Sequence, residues 1–187
     1  MRLPYLFCLT LALSVFNTHA QSTFKVNPET SQVQWLAKKV GGQHDGLVSI
    51  SSGVVELDEY GIVTNASISI DMTSITVEDL SGGAKEALTK HLKDADFFDT
   101  ETYQEATFVV ESPGSKKGKA SGQLTIRDIS KPYTLDYKLV EGQLRGTLVV
   151  DRTDFGVMYK SKSILDAKAV ADGFIFDEFT ITFLLKE

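Results

Sequence analysis

Beyond residue 20, two histidines, two neighbouring aspartates and one Arg-x-Asp turn are the residues whose types could do chemistry. His44 and His91 could act as general acid and base, but they lie far apart in sequence, and no His-Glu-x-x-His or Cys-x-x-Cys pattern surrounds them. A zinc site is therefore not expected. The single cysteine, Cys8, falls in the leading apolar segment, so no cysteine nucleophile is available to the rest of the chain. No Gly-x-Ser-x-Gly elbow and no glycine-rich phosphate loop is present. Asp94 and Asp96 could form an acid/base pair. They follow a short charged helix, where solvent keeps carboxylates ionised, and catalysis would need burial to shift one of them. The expectation is that there is no catalytic residue and no metal ligand.

Three positions remain open as polar contacts. His44, in Gly41-Gly42-Gln43-His44-Asp45-Gly46, reads either as a polar contact at the mouth of a barrel or as a loop histidine beside Asp45. His91 lies on the apolar side of its helix. It reads as a contact to a ligand head group or as a satisfied, half-buried histidine. Arg152 with Asp154 could anchor a polar head, or could form an ion pair that fixes their own loop, the commoner use of such a pair.

The apolar residues say more. Phe97 and Phe98 stand side by side in an acidic connector, His91 to Phe108, and two large aromatics there need an apolar place to go. They read as the wall of a tunnel or as the plug of its end. The elements that must position them are mostly strands. Val33, Trp35 and Ala37 share a face of a strand over Gln32 to Lys39, and a long strand runs from Leu47 to Leu57 after a break at Gly41-Gly42. Ala66, Ile68, Ile70 and Met72 alternate with Ser67, Ser69 and Asp71, the period of a half-buried antiparallel strand. Gly82-Gly83 precedes a short helix with Ala84, Ala87, Leu88, His91 and Leu92 on one side, fit to cover a barrel end. Leu124 and Ile126, then Tyr133 to Leu139, then Leu144 to Val150, and finally Phe179 to Leu185 alternate in the same way. A helical or looped excursion is expected over Ser163 to Ala171. Small residues recur at strand positions (Ala37, Ala66, Ala106, Ala120, Gly122, Gly146) and either leave room inside or allow barrel corners and bulges.

The fold class is therefore all-β: an extended antiparallel eight-stranded barrel with one or two short helices. Closure removes exposed strand edges, and eight strands leave an interior just wide enough for side chains or one slender ligand. Trp35, Ile68, Ile70, Phe97, Phe98, Phe108, Leu124, Ile126, Phe155 and Phe179 are the expected lining, with His91 and His44 as polar neighbours.

Residues 1–20 read as an export signal: Arg2, an apolar run from Leu3 to Phe16, then Thr18-His19-Ala20. That run is too short to span a bilayer, which takes roughly 20 apolar residues. Residues 21–187 read as one domain, exported and without an integral membrane segment. With no cysteine left after residue 20, its stability must come from its core. The formal charge is -6, which argues against nucleic acid and against an anionic membrane as partner. The one lysine run, Lys116-Lys117-Gly118-Lys119, reads as a hairpin tip.

In order and spacing, several pieces resemble the YceI family of exported lipid- and polyisoprenoid-binding proteins. They are Gly-Gly-Gln-His-Asp-Gly at 41–46, the strand 67–72, His91-Leu92 with Asp96-Phe97-Phe98-Asp99, and Ala106-Thr107-Phe108. Gly122 to Ile126 with Ser130-Lys131-Pro132, and Asp151 to Gly156, complete the set. The resemblance covers about Thr23 to Lys186. It implies a lipocalin-like barrel with a long apolar tunnel, a periplasmic location, a bound lipid or isoprenoid in place of a cofactor, and an allowance for a homodimer. Two positions depart from the pattern: Gln104 follows Tyr103 where a proline is usual, and Arg127-Asp128-Ile129 stands where a glycine is usual. The function expected is a carrier for a polyisoprenoid, an isoprenoid quinone or a fatty chain. Burial would supply roughly 0.8 kcal/mol per methylene. The alternatives are an envelope stress or interaction protein with a filled barrel, and an enzyme that uses His44 or His91 on a bound lipid or quinone.

Overall fold

The computed structural model describes residues 21–111, 116–163 and 174–187. The expected export signal lies outside the described residues, and so does the excursion expected over Ser163 to Ala171, except for Ser163 itself, which sits in a turn.

The strands are β1 (Ser22–Lys25), β2 (Gln32–Lys39), β3 (Gly42–Leu57), β4 (Val63–Asp71), β5 (Glu105–Val110), β6 (Lys119–Ile126), β7 (Ile129–Val140), β8 (Gln143–Asp151) and β9 (Ile175–Leu185). From β2 onward each strand pairs antiparallel with the next, and β9 pairs back with β2, so eight strands close into a barrel. The ninth, β1, extends β2's line. β2 pairs with β3 from Val48 back to Gly42, and β1 takes over with Phe24 opposite Val55. Pro28 separates the two, because a proline cannot donate to a ladder.

β3 begins five residues before the expected Leu47. Gln43, His44 and Asp45 are in the ladder, opposite Lys38, Ala37 and Leu36. Gly46 sits opposite Trp35, and a Cβ there would collide with the Thr76 carbonyl and the indole ring. The glycine-rich run that reads as a loop is thus a strand in which a neighbour approaches closely.

Helix α1 (Gly82–Lys93) joins β4 to β5. Of its expected apolar side, Leu92 is buried and Leu88 half-buried, whereas Ala84 and Ala87 are exposed. Only its last turns cover the barrel. At the β6–β7 hairpin, Arg127 and Asp128 both adopt positive φ, 51° and 57°. That is the conformation a two-residue turn between twisted strands requires. Arg127 does what a glycine would not. Its guanidinium donates to the carbonyls of Phe97 (3.2 Å) and Gly156 (3.1 Å) and lies 5.7 Å from the centre of the Tyr103 ring.

Inside, the two ends of the barrel differ. Around β1 the interior is solid: Phe24, Val55, Leu57, Val63, Val110, Tyr137 and Leu144 are buried against one another. The Tyr137 hydroxyl donates to Gly61 O (3.0 Å) and accepts from Val63 N–H (3.0 Å), so its one polar atom is satisfied there. The α1 end is hollow.

Candidate functional site: an apolar cavity at one end of the barrel

The hollow end holds a cavity of about 180 Å³. Alternation builds its walls. Val33, Trp35 and Ala37 of β2, Ile68 and Ile70 of β4, and Ala106 and Phe108 of β5 face it. Leu124 and Ile126 of β6, Leu148 and Val150 of β8, and Phe179, Ile181 and Phe183 of β9 complete the circuit. Leu92, Phe97 and Phe98 roof it.

Phe97 and Phe98 are thus both lining and plug. They are buried, meet edge-to-face at 5.0 Å, and Phe98 reaches Phe179 at 6.4 Å. The backbone fixes them: Phe98 N–H donates to Leu92 O, and Phe97 O accepts Arg127. Trp35 presents its ring to the cavity and spends its indole N–H on Thr76 O at 3.1 Å.

Of the expected lining residues, Trp35, Ile68, Ile70, Phe97, Phe98, Phe108, Leu124, Ile126 and Phe179 do face the cavity. Phe155 does not. After β8 the chain makes a single 3-10 turn, Arg152–Phe155, which breaks the strand alternation. Phe155 is turned against Tyr133, stacked at 5.8 Å, and is fully buried there. Ile181 and Phe183, on the face of β9 that carries Phe179, and Leu148 and Val150, on one alternating face of β8, also line the cavity, although none of the four is among the expected lining residues. Ile75 carries no comparable sign, because it lies past the end of β4.

The polar candidates all turn away from the cavity or are consumed at its edge. His91 packs behind Phe97 (5.7 Å) and against Tyr159 (4.4 Å), outside the lining. Its Nδ1 is 3.7 Å from Asp96, and its Nε2 is buried without a partner among the described residues, so it is not the fully satisfied histidine expected. His44 lies on a strand, not a loop, and its partner is Asp79 (2.8 Å), not Asp45. Partial burial opposes ionisation of Asp79. The hydrogen bonds from His44 and from the Asp45 N–H outweigh it and hold the carboxyl below its ordinary range. Asp94 is engaged by Lys90 at the helix surface, 2.9 Å away.

Arg152 is the one charged side chain at the cavity wall, and it is 2% exposed. It does not pair with Asp154. Its Nε donates to Phe176 O (3.3 Å), Nη1 to Val157 O (2.8 Å), and Nη2 to Ile175 O (3.1 Å) and Asp177 (3.4 Å). Those four bonds use four of a guanidinium's five N–H groups. Burial pulls its pKa down, and Asp177 and Asp151 push it back. Asp154 instead accepts the Tyr133 hydroxyl at 2.7 Å, whose pKa burial and that bond push up to about 12. Arg152 thus locks the start of β9 to the turn after β8 and has little left to offer a ligand. Among the described residues no cluster of three or more His, Cys, Asp or Glu could hold a metal.

A closed eight-stranded antiparallel barrel with an apolar cavity at one end and a roof of aromatic side chains defines a lipocalin-like all-β protein. The chain belongs to the YceI-like family, whose family model matches residues 24–186, and that family is known for binding apolar ligands. Among solved structures it is similar to BcnA of Burkholderia cenocepacia, with 21% identity, 86% of this chain and 98% of that chain covered, and a TM-score of 0.64. A Campylobacter jejuni YCEI protein that crystallises with large solvent channels is also similar: 19% identity, 100% of each chain covered, TM-score 0.45. A search of the curated proteins gave no match. No helix among the described residues is long and apolar enough to cross a membrane.

Proposed function

We propose that this protein is an exported, periplasmic carrier that shelters the chain of a polyisoprenoid, an isoprenoid quinone or a fatty molecule and performs no chemistry on it. The observation that supports this most is the cavity wall: apart from Arg152 and Thr107, every lining side chain is apolar. His44 and His91, the acid/base candidates, both stand outside that wall. An engineered apolar cavity of about 150 Å³ stays dry and admits benzene. A space of about 180 Å³ is of that order. It suits the end of a chain, and a longer ligand must widen it or continue to the mouth. The binding term is burial, roughly 0.8 kcal/mol per methylene, set against the cost of ordering the ligand.

Organic extraction of the purified protein, with mass spectrometry of the extract, tests this reading. A stoichiometric apolar compound is expected. An extract without one, from protein that also fails to bind a fluorescent fatty-acid probe, would overturn it.

A further inference from the structure

The cavity's exit has a chemistry of its own. Among the described lining residues Phe176 is the exposed one, at 45%, so the cavity lining reaches the protein surface at this residue. Phe176 is not alone there. Its ring meets that of Phe174 at 5.1 Å, and Phe174 O accepts the N–H of Val40, a residue 52% exposed. An exposed aromatic and an exposed aliphatic residue at the mouth of an apolar cavity form a patch of the kind that marks an interaction surface.

Lysines frame this patch. Lys39 is opposite Ile175 in the β2–β9 ladder, with Lys38 beside it. Ile175 N–H donates to Lys160 O at 3.0 Å, and Lys162 Nζ lies 5.7 Å from the centre of the Phe174 ring. All four lysines are exposed. Among the described residues none of the four makes an ion pair, whereas Lys85, Lys90 and Lys119 each have one. Asp177, beside Phe176 on β9, is held by Arg152 and by the Ser163 hydroxyl. The chain as a whole carries -6, so a cluster of four lysines among the described residues here runs against its average.

We propose that this rim, the end of β2 with the start of β9 and residues 160–162, docks on an anionic phospholipid surface and presents the cavity mouth to the lipid. The inference rests on the carrier reading and adds where the ligand is exchanged. Lysines are drawn to the negative surface potential, Phe176 and Val40 enter the headgroup boundary, and the apolar path from bilayer to cavity stays short. Total charge is a poor guide here, because the attraction falls off within a Debye length and is felt only by the nearest groups.

The experiment is flotation of the full chain with equimolar phosphatidylglycerol–phosphatidylcholine vesicles and with phosphatidylcholine vesicles alone. Binding to the anionic vesicles is expected at low salt, with release at high salt and little binding to the neutral ones. The Lys160→Glu/Lys162→Glu variant should bind about tenfold more weakly or worse. Phe176→Ser should also weaken binding, and its circular dichroism should stay that of the parent. Binding that is absent, or unchanged by charge reversal, overturns the docking surface. If the extracted ligand is present at the same time, the carrier reading survives. Vesicle binding by protein with no extractable ligand overturns the carrier reading and with it this use of the rim.

Discussion

The two halves of the barrel are built from the same strands with the same alternation, yet one is solid and the other hollow. At the β1 end, Phe24, Leu57, Val63, Val110 and Tyr137 fill the interior. At the α1 end the inward side chains stop short of one another and enclose about 180 Å³. At two places along the hollow half an aromatic ring lies close against a glycine. A Cβ at Gly146 would strike the Phe183 ring and the Asp136 carbonyl, and one at Gly122 the Phe108 ring and the Val109 carbonyl. Both phenylalanines line the cavity, each with its ring close against a glycine of the neighbouring strand, an arrangement known from other sheets. The solid half supplies the stability that a disulfide-free domain needs, and the hollow half is free to receive a ligand.

Substitutions distinguish the two halves, with stability read from urea unfolding. The largest effect should come from Arg152→Leu. It leaves Asp177 and three carbonyls without their buried donor at the hollow end and should cost about 3–5 kcal/mol. Next, the same truncation should cost more in the solid half than in the hollow one. Leu57→Ala opens a new cavity and should cost about 3 kcal/mol, whereas Leu124→Ala enlarges an existing one and should cost about 1–2 kcal/mol. Equal costs would mean that the two halves are packed alike. Ala106→Leu should change stability by less than about 1.5 kcal/mol in either direction while it removes room for the ligand.

The smallest effect concerns pH. The carboxyl of Asp79 lies below its ordinary 3.8 in the folded protein, so its contribution is complete above that value and is lost as pH falls through the lower folded pKa. The pair with His44 is near the surface, so Asp79→Asn should cost only a few tenths of a kcal/mol at neutral pH and nothing at strongly acid pH.

The barrel is legible because period-two alternation in β2, β4, β8 and β9 is strong. Alternation says which side chains point in but not whether they meet, so the solid half could not be told from the hollow one. Gly41 to Gly46 reads as a loop because glycine signals a turn and a close approach equally well. Phe155 was misplaced because a 3-10 turn after β8 changes the direction of side chains without a mark in the hydrophobic pattern. The mouth was hidden for two reasons. Phe176 is out of phase with the inward set of β9, and the rim lysines come from two segments far apart in the chain, Lys38 and Lys39 against Lys160 and Lys162, so a count over the whole chain averages them away.

Native mass spectrometry of the protein as purified, beside its Ala106→Leu variant, tests the central claim that the hollow half exists to hold an apolar molecule. The wild-type protein should carry extra mass equal to one apolar compound, and the variant should carry less of it or none. A wild-type protein that shows only the mass of its own polypeptide, under conditions that keep ligand on a known lipid carrier, would contradict the account.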